Sequence, residues 1–282
     1  MAGFSLRPLG HTRHEACRLQ EACYISGMKQ FALIVAHGQP SDPQPAEAAL
    51  VHLAAMVAAH LPGWQVQSAT LAAEGALPDA LHKAGPDGGW VYPMFMADGW
   101  FTRQHLPDRL SKACHEALFA GQGCGNSACG GKAGCARWRV LAPFGLDDAV
   151  QMLALRVLHE AGVPPGGEVL LAAHGSGRSS APADVANAVA ARLKQGLQLG
   201  RCEAAFIDQS PRLAETTGFG PEARCLPFFA AQGEHVTDDL PQALAEAGFA
   251  GEILPPLGLD PRVPALIAQA LIAAQALASS TA

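Results

Sequence analysis

The chain lacks any run close to the roughly 20 continuous apolar residues of a membrane span, and its first residues lack the apolar core of a secretory signal. It is also short of positive charge. Its 19 Lys and Arg stand against 25 Asp and Glu, a formal net charge of −6, and no basic stripe gathers the cations on one stretch. A surface for nucleic-acid phosphates needs such a stripe, so nucleic acid is not expected as the main partner, although local basic residues can still hold an acidic small molecule. The expectation is a cytoplasmic protein with neither a membrane nor a nucleic acid for a partner. In that reducing setting, the eight cysteines point to metal binding more readily than to a disulfide framework.

What is present fits a soluble enzyme of 282 residues, 49% hydrophobic and 16% charged, enough chain for one large or two small domains. The organising stretch is Val169 to Ser180, VLLAAHGSGRSS, an apolar run that ends on a histidine and opens a loop of small polar residues. It has a counterpart in Phe31 to Ser41, FALIVAHGQPS, with the same Ala-His-Gly step. Each copy leads into an alanine-rich helical pattern, which is the strand-loop-helix unit of a parallel sheet. Ligands of such sheets bind outside the carboxyl ends of the strands, where His37 and His174 both stand. A single histidine there is as readily a hydrogen-bonded structural residue as a functional one. Two at equivalent places favour function.

In chain order, the pattern predicts a helix over Ala46–His60, a strand over Trp64–Leu71, a short helix over Gly75–Ala84 and a strand over Gly89–Pro93. A loop over Met94–Gly99 then precedes a helix containing Leu106 and Leu110, a strand over Trp138–Leu141 and a helix over Asp147–Glu160. The second half repeats the plan with strands over Glu168–Ala173, Cys202–Ile207, Ala223–Phe228 and Glu252–Leu254. Its helices are expected over Pro182–Gln195, Pro211–Thr217, around Leu240 and Leu244, and over Pro261–Ala278. The predicted fold class is α/β, two similar Rossmann-like halves, each a small parallel sheet flanked by helices. The expected divisions are an N-terminal extension over residues 1–27, a first half over 28–162 with a cysteine-rich insertion at 121–135, and a second half over 167–282 carrying the site. Met28 stands directly before the first strand, so residues 1–27 are either an appendage or lie upstream of the true start.

The repeat holds residue by residue. Val91-Tyr92-Pro93-Met94-Phe95 aligns with Cys225-Leu226-Pro227-Phe228-Phe229, and each proline is followed at equal distance by Gly99 or Gly233 and then by Leu106-Pro107 or Leu240-Pro241. Phe101 therefore occupies the place of His235. These features resemble the class II tetrapyrrole chelatases, of the type that inserts cobalt or iron into sirohydrochlorin. The resemblance rests on His174-Gly175-Ser176, on Leu226-Pro227-Phe228-Phe229, on the Gly-x-His step at Gly233 and His235, and on the run Ala205 to Leu213. It covers about Met28 to Ala278 apart from the insertion.

That resemblance implies a metal chelatase in which His174 and His235 hold the divalent ion and help remove pyrrole protons, with Co²⁺ or Fe²⁺ as substrate beside the tetrapyrrole. Neutral imidazole suits both tasks, and two ligands leave the ion exchangeable where a closed four-ligand cage would keep it. Ser176, Arg178 and Ser179, near a helix N-terminus, are candidates for holding the substrate's carboxylates, or the serines simply cap the helix. Glu234 reads more readily as a surface carboxylate than as a proton acceptor. In the first half His37 has lost its partner to Phe101, and His105, one turn along, is a candidate substitute. Cys124, Cys129 and Cys135 in the insertion, with Cys114 before it, are candidates for an iron–sulfur cluster, for Zn²⁺ or for no metal, since their spacing matches neither compact pattern. The alternative functions are a carrier of metal or tetrapyrrole without turnover and a hydrolase using His174 as phosphate acceptor. The hydrolase is weakened by Ala173, which stands where an Arg would be needed.

Overall fold

In the computed structural model, residues 30–84, 88–119, 138–233 and 235–280 are described. The run QFALIVA forms β1 (Gln30–Ala36), buried along all but its two ends, as a parallel strand covered on both faces must be. It lies in a four-stranded sheet with β2 (Trp64–Thr70), β3 (Gly89–Pro93) and β4 (Trp138–Val140), in the order β2-β1-β3-β4 and all parallel. A second sheet contains β5 (Glu168–Ala173), β6 (Arg201–Phe206), β7 (Arg224–Pro227) and β8 (Glu252–Ile253), ordered β6-β5-β7-β8 and again all parallel. Parallel pairs need crossovers, which helices supply. In the first half these are α1 (Pro43–Ala59), α2 (Ala76–Ala84) and α3 (Leu106–Phe119), and α4 (Asp148–Glu160) leads from the first sheet to the second. The second half carries α5 (Ala181–Gly196), α6 (Leu240–Glu246) and α7 (Val263–Ser280).

The expected α/β fold of two similar halves is the fold observed. One element is shorter than its pattern suggests: Pro211–Thr217 holds only a single 3₁₀ turn, Leu213–Glu215, because Arg212 and Thr216 at its two ends are both extended. The repeat also runs further than the proline alignment. Pro143-Phe144-Gly145-Leu146-Asp147 and Pro256-Leu257-Gly258-Leu259-Asp260 each form a tight turn against their own sheet. Gly145 N donates to Phe95 O at 3.0 Å, and Gly258 N donates to Phe229 O at 2.9 Å.

One face of each sheet looks inward, and the two faces share a core. Ala32, Ile34, Trp90 and Tyr92 belong to the same buried cluster as Val169, Leu171, Leu226 and Phe228, with Val57, Leu158, Val189 and Ile267 between them. Each buried Val, Leu, Ile or Phe side chain among them contributes on the order of 1.5–3 kcal/mol of transfer free energy. Polar ties cross the same boundary: Trp90 Nε1 donates to Gln275 of α7 at 2.8 Å, and Arg192 of α5 donates to Asp148 and Gln151 of α4. Buried Tyr92 donates its hydroxyl to Asp147 at 2.8 Å, while the other oxygen of Asp147 caps α4 by accepting from Ala149 N. Burial, with the Asp147 carboxylate beside it, pushes the Tyr92 phenol far above its ordinary range, which keeps it a donor.

The outer faces are covered separately, by Leu77, Leu81, Leu106 and Leu110 on the first sheet and by Leu213, Leu240 and Leu244 on the second. By length and composition α7 is the one helix among the described residues apolar enough to cross a membrane, at 18 residues with mean hydropathy 1.5. Gln269 and Gln275 interrupt it, so it is not a continuous apolar run. In the structure Val263, Ile267, Ala268 and Leu271 of α7 lie in the shared core.

Candidate functional site

The carboxyl ends of β5 and β7 bring together the residues that the sequence singled out. His174 follows the last residue of β5 and is fixed by a turn that needs Gly175, whose φ of +76° is left-handed. A β-carbon at Gly175 would also fall 2.7 Å from Gln209 Cγ and 2.9 Å from Phe206 Cβ. His174 Nδ1 donates to Gly175 O at 3.0 Å. His235 opens a five-residue π turn, His235–Asp239, that leads into α6. Such wide turns are frequent at functional sites. The i,i+4 spacing puts Asp239 on the same face, and His235 Nδ1 donates to its Oδ2 at 2.6 Å.

With both Nδ1 atoms engaged as donors, each neutral ring presents its Nε2 as a bare lone pair. Those two Nε2 atoms lie 3.0 Å apart, with the rings nearly perpendicular at 82°. Two lone pairs at that distance repel unless a proton or a metal ion lies between them. For two metal–nitrogen bonds of about 2.1 Å, this separation corresponds to an N–metal–N angle of about 90°, that of two adjacent ligands in an octahedral or square arrangement. Asp208 lies on the other side of His174, its Oδ2 3.6 Å from Nδ1, too long for a hydrogen bond. The pair is open, with the His174 and His235 side chains 37% and 53% exposed, so a bulky substrate can approach it.

The loop after His174 behaves partly as local capping. Ser176 Oγ accepts from Arg178 N, Ser179 Oγ accepts from Ala181 N at the start of α5, and Ser176 N donates to Gln209 Oε1 at 2.7 Å. Arg178 and Ser179 are exposed and Ser176 is half-buried. Of the four candidate cysteines, Cys124, Cys129 and Cys135 lie outside the described residues, as does Glu234. Cys114 is buried on α3 in the cluster that covers the first sheet. Among the described residues no group of three or more His, Cys, Asp or Glu is placed to hold a metal.

The first half reproduces the geometry with different side chains. Ala72 N donates to His37 O and Asp208 N donates to His174 O, both at 2.9 Å, so Ala72 stands where Asp208 stands. His37 Nδ1 donates to Gly38 O at 2.8 Å, matching the bond in the second half. Phe101 meets His37 edge-on, with centroids 4.5 Å apart at 81°, where His235 meets His174 at 4.2 Å and 82°. It opens an equivalent π turn, Phe101–His105, whose last residue holds the place of Asp239. His105 therefore faces Trp100 and Phe101.

Sequence reasoning missed both carboxylates. Asp208 lay inside the run Ala205–Leu213 and follows the strand next to β5, while Asp239 was legible as the residue four after His235.

The CbiX family model matches residues 168–274 of the chain. Among solved structures, CbiX, described as the terminal enzyme for biosynthesis of siroheme in denitrifying bacteria, is 43% identical. That match has a TM-score of 0.73 and covers 87% of this chain and 99% of that one. A multi-domain Deinococcus radiodurans protein with structural similarity to chelatases is 23% identical, at a TM-score of 0.60 over 87% of this chain and 55% of that one. SirB from Bacillus subtilis, solved with Fe³⁺, is 16% identical, at a TM-score of 0.62 over 88% of this chain and 98% of that one. These last two matches speak for the fold alone. No curated protein sequence matches the chain.

Proposed function

Since this chain belongs to the CbiX family, 43% identical to a CbiX that it covers almost end to end, we propose that it inserts Fe²⁺ or Co²⁺ into sirohydrochlorin, with His174 and His235 as the site. The observation that carries this is the pair of Nε2 atoms 3.0 Å apart, each turned outward by a bond at its own Nδ1.

The ion is a substrate, so it must be held and then released. Two imidazoles occupy two adjacent positions of its shell and leave the others to water and then to pyrrole nitrogens. Insertion replaces two pyrrole N–H bonds by metal–nitrogen bonds and sets free two protons. As each Nε2–metal bond gives way to a pyrrole–metal bond, the freed Nε2 is a base at the point where a pyrrole proton leaves, so two histidines match two protons. Asp239 accepts the Nδ1 hydrogen of His235 at 2.6 Å and so holds that ring with its Nε2 outward, while Asp208 stands 3.6 Å from Nδ1 of His174. Taken one after the other, with loss to solvent from this open site, the transfers need not place two cations side by side.

The macrocycle carries carboxylates at its rim, and Arg178, with the Ser176 and Ser179 hydroxyls at the positive end of α5, is suited to receive one. The test is absorbance-monitored insertion of Co²⁺ and Fe²⁺ into sirohydrochlorin by anaerobically purified protein. Acceleration over the uncatalysed rate is expected, with loss in both His174→Ala and His235→Ala. Full activity in either variant would move the site elsewhere.

A further inference from the structure

The first half keeps the backbone of a site without its metal-binding chemistry, and the replacements have a common character. Phe101 and His105 stand in for His235 and Asp239, and Trp100 and Phe95 adjoin them. The result is a contiguous group of rings. Phe95 lies parallel to Phe101 at 6.2 Å, His37 meets Phe101 edge-on, and Trp100 stacks on His105 at 4.7 Å and 26°. Burial, then Arg109 and His37 nearby, hold the His105 imidazole below its ordinary range, so it serves as a neutral ring.

This group is held in place and yet left uncovered. Thr102, buried behind it, donates to Asp98 at 2.7 Å, and Arg103 donates to the other oxygen of Asp98 at 2.8 Å, which pins the turn that carries the rings. Trp100 is nevertheless 55% exposed and Phe101 36%. His105 stacks on the Trp100 indole and Phe101 meets it edge-on at 5.1 Å, and more than half of the residue is still open to solvent. An ordered patch of exposed aromatic surface at the carboxyl end of a parallel sheet marks a place for a ligand.

Its position says which ligand. A β-carbon placed on Gly99, next to Trp100, would lie 4.0 Å from Ala181 Cβ. Ala181 opens α5, two residues after Ser179, so the ring patch borders the mouth that leads to His174 and His235. The occupant of that mouth under the chelatase reading is a broad, flat, conjugated ring with an anionic rim. Such a ring is far wider than a pair of imidazoles and must rest part of its face elsewhere.

We propose that Trp100 and Phe101 form a stacking surface for the tetrapyrrole macrocycle, the former partner site having become a floor that holds the ring while the histidine pair supplies the metal. The inference rests on the chelatase reading, but binding tests it without turnover. Metal-free sirohydrochlorin is titrated into the full chain and followed by quenching of Trp fluorescence and by its own absorbance. Trp100→Ala and Phe101→Leu, both at exposed positions, should each weaken binding about tenfold. Co²⁺ affinity at the histidine pair should stay at the wild-type value, and His174→Ala should still bind sirohydrochlorin. Wild-type affinity for sirohydrochlorin in both aromatic variants, checked for native circular dichroism, would overturn the stacking surface while leaving the chelatase reading intact. A wild-type protein that binds sirohydrochlorin but inserts neither metal would refute the chelatase reading alone.

Discussion

The most direct test of the divergence between the halves is to give the first half back its lost groups. Phe101→His sets an imidazole where the ring already meets His37 edge-on, 4.5 Å and 81° against 4.2 Å and 82° in the second half. Because Phe101 is 36% exposed, the lost apolar contact should cost only about 1 kcal/mol of stability. The new ring still lacks what Asp239 gives His235, since His105 occupies that place, and loss of such an orienting partner typically weakens a metal site about 10- to 100-fold. A chain with Phe101→His alone should therefore bind a second Co²⁺ weakly, and one with Phe101→His, His105→Asp and Ala72→Asp should bind it 10- to 100-fold more tightly. The assay is anaerobic calorimetry with Co²⁺ in a His174→Ala background, which silences the native pair and leaves any contribution of the cysteine-rich insertion common to all variants. If the folded triple variant takes up no more Co²⁺ than the background chain, then an imidazole pair with flanking carboxylates is not what makes the second half competent.

Asp239→Asn keeps the size of the residue but removes the charge at His235 Nδ1; Co²⁺ affinity should fall about 10- to 100-fold with little change in melting temperature, as scanning calorimetry would show. Gly175→Ala meets both a φ of +76° and the side chains of Gln209 and Phe206, so a loss of at least about 1–2 kcal/mol in urea unfolding is expected, with insertion impaired. Burial pushes the Cys202 and Cys225 thiols up to about 12; mass spectrometry after iodoacetamide treatment at pH 8 should find both unmodified in the folded chain and modified in urea. Hydrogen bonds from Arg262 hold the Asp260 carboxyl below its usual range despite burial. A depressed folded value gives stability that is present above the unfolded pKa of about 3.9 and lost as pH falls through the lower folded one, so Asp260→Asn should flatten the acid limb of a melting-temperature profile below about pH 4.

The parallel strands and the histidine pair were legible because their signals are local. A short apolar run ending in His-Gly reads as a buried strand and a turn in any context, and the proline-to-glycine spacing fixes His235 against Phe101. Asp208 was less legible because its place depends on strand order: only when β6 lies beside β5 does the second residue after β6 fall next to His174. Asp239 required knowing that His235 opens a helical turn and not a loop. The expected helix after Ser210 failed because a composition that permits helix does not force it, and Arg212 and Thr216 stay extended. The shared core was hidden for a related reason. Alanine-rich helices such as α5 and α7 carry little pattern to say which of their faces is covered, or by what.

That shared core limits how the molecule can be taken apart. Phe228 and Leu171 on one sheet and Ile34 and Tyr92 on the other lie in one buried cluster, so a chain trimmed to residues 167–282 would keep both members of the histidine pair yet lay bare one side of its sheet. A surface shaped to fit a near-copy of itself has an obvious substitute: a second identical fragment related by a twofold axis. In the full chain the first half supplies that cover from within the same molecule, tethered at an effective concentration that no free subunit would reach.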